Sequence, residues 1–145
     1  TLSAGDTKAK RAHLVPLAPM AVEIIKAMPE VGDYVFSTTA SGPIRGFAKS
    51  KRLLDRWLAS KGAGFDDPWR FHDLRRSAAT HMVRLGIPEL VVSRVLNHAV
   101  QGVTGQVYAL HSYAPEKRHA LEAWAAEVDS AVNGERGGNV VAFRV

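Results

Sequence analysis

Four side chains between residues 72 and 108 could together break and remake a phosphodiester. His72 and Arg75 stand three residues apart, a spacing that sets both on one helical face. His98 follows in the segment Leu96-Asn97-His98, and Tyr108 comes shortly after. A guanidinium grips two phosphate oxygens as a fork. An imidazole moves protons near neutral pH. A phenol is a nucleophile once deprotonated. Its free pKa near ~10 makes that cost roughly 4 kcal/mol at pH 7, to be offset by a base, by cations, or by both. Lys8, in Asp6-Thr7-Lys8, is a candidate general acid for a leaving oxygen, and Lys10 in the same turn is its rival.

Each residue also has a plain structural use. His72 and Arg75 suit a solvated helix start, and His98 suits the C-terminal end of a helix dipole. A lone Tyr is usually a partly buried aromatic with its hydroxyl bonded. Tyr113 is a rival phenol, and Tyr34 lies in an unsuitable region. His81 reads as a satisfied core histidine, and His111 is either a supporting group or an exposed one.

These residues must be held by elements, and the pattern is mainly helical. Ala12 to Leu17 reads as a short strand stopped by prolines, and Tyr34 to Phe36 as a second, shorter one. Helices are expected over Pro19–Met28, Gly46–Lys61, His72–Leu85, Pro88–Leu96 and Pro115–Val132, with a short helix or turn over Val103–Leu110. In the second helix Leu53, Leu54, Trp57 and Leu58 should face a core. Lys49, Arg52 and Arg56 line another face, either solvated or set against a DNA backbone. In the third, Leu74, Ala78, His81 and Leu85 form the apolar stripe. Ser37 to Pro43 is a loop. The fold class is mainly α, strictly α+β, with a small hairpin or edge sheet. Residues 133–145, with their glycines, read as a flexible tail whose Val140–Val145 end could dock as a strand.

Composition agrees with one soluble domain of 145 residues with net charge +5 and a sequence pI of about 9.8, a balance that favours an anionic partner. The absence of cysteine excludes disulfides, thiolate nucleophiles and cysteine-based zinc sites. No apolar run approaches the ~18 residues that span a bilayer, and no signal peptide is visible.

The segments TKAKRAHLVPL at 7–17, FHDLRRSAATHMVRLGIPELVVSRVLNH at 71–98 and VTGQVYALHSYAPEKRHALEAWA at 103–125 resemble the catalytic domain of tyrosine recombinases, nearest to phage-type integrases. The resemblance rests on H-x-x-R, the L-[GN]-H box, a nearby Tyr and the Thr-Lys hairpin. It implies that Tyr108 attacks the scissile phosphate to form a 3′-phosphotyrosyl link. Arg75 and His98 would stabilise the phosphorane-like transition state, His72 would assist with the Tyr proton, and Lys8 would protonate the leaving 5′ oxygen. No metal and no nucleotide cofactor is implied. Double-stranded DNA is the implied partner, with Lys49, Arg52 and Arg56 on its backbone. Other protomers would be reached through the C-terminal tail, and the location would be the cytoplasm of a host carrying a prophage or mobile element.

Relatives carry a first catalytic Arg upstream of the hairpin. Residues 1–132 are therefore expected to be a partial catalytic domain within a longer protein, weak or inactive alone. Tyr108 stands slightly further from His98 than is usual, with an insertion around Gln101-Gly102. The implied function is site-specific integration or excision. Type IB topoisomerase-like relaxation and a non-catalytic DNA-binding remnant are the alternatives.

Overall fold

The structure, a computed structural model, describes the chain except Thr38, Ala40 and residues 99–111 and 135–145. Tyr108, His111, the expected Val103–Leu110 element and the docking end of the tail therefore lie outside the described residues. Five helices are described: α1 (Pro19–Lys26), α2 (Phe47–Ser60), α3 (Phe71–Arg84), α4 (Glu89–Val95) and α5 (Ala114–Asn133). The chain divides into two compact units, one formed by Thr1–Val22 with Arg75–Val145, the other by Glu23–Leu74.

The first unit contains the core. Met82, at 1% exposure its most deeply buried large side chain, packs with Ile87, Val91, Val92 and Ala120. Ala78, Ala79, Val95, Leu96 and Trp124 surround this cluster. Ala120 on α5 is fully buried, and its small side chain allows α4 and α5 to pack closely. The stripe that α3 buries is thus Ala78, Ala79 and Met82, rotated from the expected one. Leu74 and Leu85 are exposed at 58% and 42%. Positions i, i+1 and i+4 of this stripe place two alanines beside one long thioether, which fills the space left by the small residues. His81 lies at the edge of this core, its Nδ1 3.7 Å from Glu127 and its ring tilted against Trp124 at 5.4 Å.

Helix ends here are set by residues that adopt the left-handed conformation. Gly62 after α2, Gly86 after α3 and Asn97 after α4 all have positive φ. Each is followed by the same paired bonds back to the helix: Ala63 to Leu58, Ile87 to Met82 and His98 to Ser93, with Gly62 to Ala59, Gly86 to Val83 and Asn97 to Arg94. This is the Schellman arrangement, which satisfies carbonyls that the helix leaves open. Ile87 and Met82, joined by one of these bonds, also share the core.

The strand expected over 12–17 is reduced to one antiparallel bridge, Leu2 with His13, with N···O distances of 2.8 and 3.0 Å. It closes a loop over residues 3–12. Prolines 16 and 19 follow at once and cannot donate to a longer ladder. Tyr34–Phe36 is not a strand; its side chains are about half exposed.

In the second unit, α2 does not bury its apolar stripe. Leu53, Leu54 and Trp57 are 51%, 42% and 57% exposed, and only Leu58 is half-buried. A helix buries a stripe only against another element, and this short unit offers α2 mainly loops. What organises it is polar and aromatic. Asp55 accepts from Lys51 at 2.6 Å and from the Trp69 indole at 2.9 Å, Lys51 lies 4.5 Å from the Trp69 ring centre, and Phe71 meets both Trp69 and Phe47 edge to face. The Lys51 bond, helped by the indole, lowers the Asp55 pKa below its ordinary value.

Candidate functional site

The end of α4 is where the first unit brings candidate residues together. The last carbonyls of a helix have no partner inside it. Here two consecutive ones are taken by side chains from elsewhere in the sequence. The Val95 carbonyl accepts from His13 Nε2 at 3.1 Å, and the Leu96 carbonyl accepts from the Arg75 guanidinium. A carbonyl cannot donate, so the proton of His13 sits on Nε2. The chain then turns through Asn97, at φ 55°, and delivers His98 with its side chain exposed.

That turn explains the middle residue of Leu96-Asn97-His98. The position after the helix cap needs positive φ, which Gly accepts freely and Asn better than most residues. The motif is thus a helix stop that presents a His at a set place.

Arg75 and His98 are brought to one location, because Arg75 bonds the carbonyl two positions before His98. That bond uses one of the five N–H donors of the guanidinium. His72 lies three residues before Arg75 on α3 and is exposed. It belongs to the Glu23–Leu74 unit, so its relation to Arg75 is the helical spacing itself. The start of α3 is held by a reciprocal pair: the Arg70 N–H donates to the Asp73 carboxylate at 2.8 Å while the Asp73 N–H donates to the Arg70 carbonyl at 2.8 Å. The Asp73 carboxylate thus makes the return half of a capping box, while a backbone carbonyl takes the place of the N-cap side chain.

Lys8 is exposed in the loop closed by Leu2 and His13. The buried Thr7 builds that loop. Its hydroxyl donates to the Arg11 carbonyl at 2.7 Å and accepts from the Arg11 N–H at 3.1 Å. Lys10 N–H returns to the Thr7 carbonyl at 3.0 Å, with Lys10 at φ 53°. The Thr of the Thr-Lys pair is thus the folding residue, and the Lys next to it is held at the surface.

Sequence reasoning missed two residues. His13 is 9% exposed, and burial, then the Lys117 charge, lower its pKa, the Val95 bond opposing and Arg75 and Arg11 adding to the effect. Lys117 is 5% exposed and donates from Nζ to the Leu14 carbonyl at 2.6 Å. Burial, then Arg94, lower its pKa. The available signal was a His inside an apolar run, AHLVPL, and a Lys one turn before the core residue Ala120. Tyr113, the rival phenol, is 8% exposed with the Arg94 guanidinium 5.2 Å from its ring centre.

Lys49, Arg52 and Arg56 are exposed on α2, in the second unit. Arg56 folds back to the Arg52 carbonyl at 3.4 Å. Among the described residues no cluster of His, Asp or Glu could hold a metal ion, and no helix is long and apolar enough to cross a membrane.

Residues 2–114 match the model of the phage integrase family. The chain belongs to that family. The match spans all five candidate catalytic positions from Lys8 to Tyr108. Comparisons with curated proteins and with solved structures gave no match. Membership makes this chain part of the tyrosine recombinase group, whose work is site-specific DNA recombination and whose members bind DNA. Its helical architecture agrees with the expected mainly α class.

Proposed function

We propose that this chain supplies most of a catalytic domain that cuts and rejoins DNA at a defined site through a 3′-phosphotyrosyl intermediate. The observation that supports the reading is the bond from Arg75, the Arg of H-x-x-R, to the Leu96 carbonyl, two residues before the His of L-N-H, within the family match. Tyr108 Oη attacks the scissile phosphorus, the bond to the 5′ oxygen breaks, and that oxygen takes a proton from Lys8. Arg75 and His98 donate to the non-bridging oxygens as charge builds there. His72 accepts and later returns the Tyr proton. The phosphotyrosyl ester conserves the bond energy, so rejoining needs no nucleotide. The burial of Tyr113 favours Tyr108 as the nucleophile, since a buried ring must leave its packing to reach DNA.

Lys49, Arg52 and Arg56 are assigned to the DNA backbone, where they add affinity and salt dependence rather than sequence readout. Residues 1–132 are assigned to the catalytic domain. Residues 133–145 are assigned to contact between protomers on DNA, so that deleting 134–145 weakens cooperative assembly.

The test is covalent trapping on a nicked suicide duplex spanning the element–host junction, with the intact protein. Wild type forms an adduct and Tyr108→Phe does not. An adduct that persists in Tyr108→Phe and vanishes in Tyr113→Phe overturns the assignment of the nucleophile. Relaxation of supercoiled plasmids without site dependence favours the topoisomerase-like reading, and DNA binding with no adduct favours a non-catalytic remnant.

A further inference from the structure

We propose that His13 is a positioning residue for strand cleavage, which registers the loop carrying Lys8 against the helix end carrying His98. The proposal rests on the recombinase reading above and deepens it.

His13 belongs to two structures at once. Its backbone N–H and carbonyl both bond Leu2 and close the Lys8 loop. Its side chain leaves that loop and bonds the last residue of α4. The next residue, Leu14, is held through its carbonyl by Lys117 on α5. The same limb of the loop is therefore fastened at two successive positions, sideways to α4 and behind to α5. The Arg75 bond falls on the carbonyl adjacent to the one His13 uses. One helix end is thus the common reference for the Lys8 loop, for Arg75 and for His98.

The chemistry of the contact suits a fixed spacer. Burial, and then the positive charges of Lys117, Arg75 and Arg11, oppose a second ring proton, while the Val95 carbonyl sets the donor on Nε2. Val95 is otherwise a helix-end carbonyl in need of a donor. Without the imidazole that carbonyl loses its partner and the loop loses its reference to α4. A general acid works only within hydrogen-bond reach of the atom it protonates, and a misplacement of about 1 Å can cost on the order of 10²-fold in rate.

The experiment separates positioning of the acid from support of the fold. The intact protein is assayed on two nicked duplexes spanning the element–host junction, one ordinary and one with sulfur replacing the bridging 5′ oxygen at the scissile phosphate. In the first, the P–O bond breaks and the oxygen needs the Lys8 proton. In the second, the P–S bond breaks and sulfur departs as a thiolate without one. His13→Ala is expected to slow adduct formation on ordinary DNA by about 10–100-fold and on the sulfur substrate by less than about 3-fold. His13→Gln, whose side-chain amide can donate to the same carbonyl, is expected to recover most of the ordinary rate. Equal losses on both substrates, or no loss on ordinary DNA, overturn the proposal. So does a His13→Gln protein that stays folded yet remains as slow as His13→Ala. Where His13→Ala does not fold, His13→Gln decides alone: a residual loss that is larger on ordinary DNA than on the sulfur substrate supports positioning, and an equal loss on both substrates overturns it. Failure of the wild-type protein on both duplexes, by contrast, removes the recombinase reading itself.

Discussion

Replacing Asn97 by Val should damage the helix end that holds the candidate site, whereas replacing it by Gly should not. Asn97 has φ 55°, where a side chain's Cβ crowds the following carbonyl at a cost of roughly 1–2 kcal/mol. A β-branched residue meets that cost in full, while Gly has no Cβ to clash. The protein's other choice is to abandon the left-handed turn. It then loses the His98 to Ser93 bond at 2.9 Å and the weaker Asn97 to Arg94 bond at 3.3 Å, each worth about 0.5–1.5 kcal/mol net. Both routes cost about the same, so roughly 1–2 kcal/mol is the expected loss, or about 2–8 °C in melting temperature for a chain of this size. Urea unfolding should be followed by fluorine NMR of 5-fluorotryptophan at Trp124, which borders the first unit's core and so reports that unit. The variants should also differ in covalent trapping, since only Val displaces His98. Equal stability and equal adduct yield for Asn97→Val and Asn97→Gly would refute the argument that the left-handed turn sets the place of His98.

Four further outcomes follow from the same contacts. Met82→Ala should destabilise the first unit by about 2–5 kcal/mol, measured by urea unfolding, because the side chain is at the centre of the core and the cavity closes only in part. Arg75→Lys should lower adduct formation on the order of 10²–10³-fold with little change in melting, since the charge remains but the fork is lost. Burial holds His13 below its ordinary 6.5, so below that pH the unfolded chain binds a proton that the folded chain refuses. Stability should therefore fall as pH drops from about 6.5 toward the lowered folded value, and less steeply in His13→Gln, when unfolding is compared across that range. Asp55→Ala should release the Trp69 indole and shift its fluorine signal toward that of a solvent-exposed ring. An unmoved signal would show that the aromatic contacts alone hold it.

Much of the helical framework was legible because periodicity and stop signals are local. Pro19 opens α1, Gly86 ends α3 and Pro115 opens α5 as expected, each because its φ preference acts without help from distant residues. Which stripe of α3 would be buried was not legible. Leu74 and Leu85 are as apolar as Met82, and only the position of α4 and α5 decides that Met82 goes inside. The exposed stripe of α2 has the same origin, since amphipathicity states a demand for a partner and does not provide one. The single bridge at Leu2 and His13 shows that a strand pattern needs a neighbour of equal length.

The chemical inventory, the order of its members and the helical spacing of His72 and Arg75 are properties of the chain itself, because side-chain identity and a local repeat need no tertiary contact. That Arg75 and His13 both end on α4 carbonyls, beside His98, is decided only by folding. Those bonds join residues far apart in sequence. A hydrogen bond across such a distance forms only where packing has already placed both partners, so nothing local can announce it.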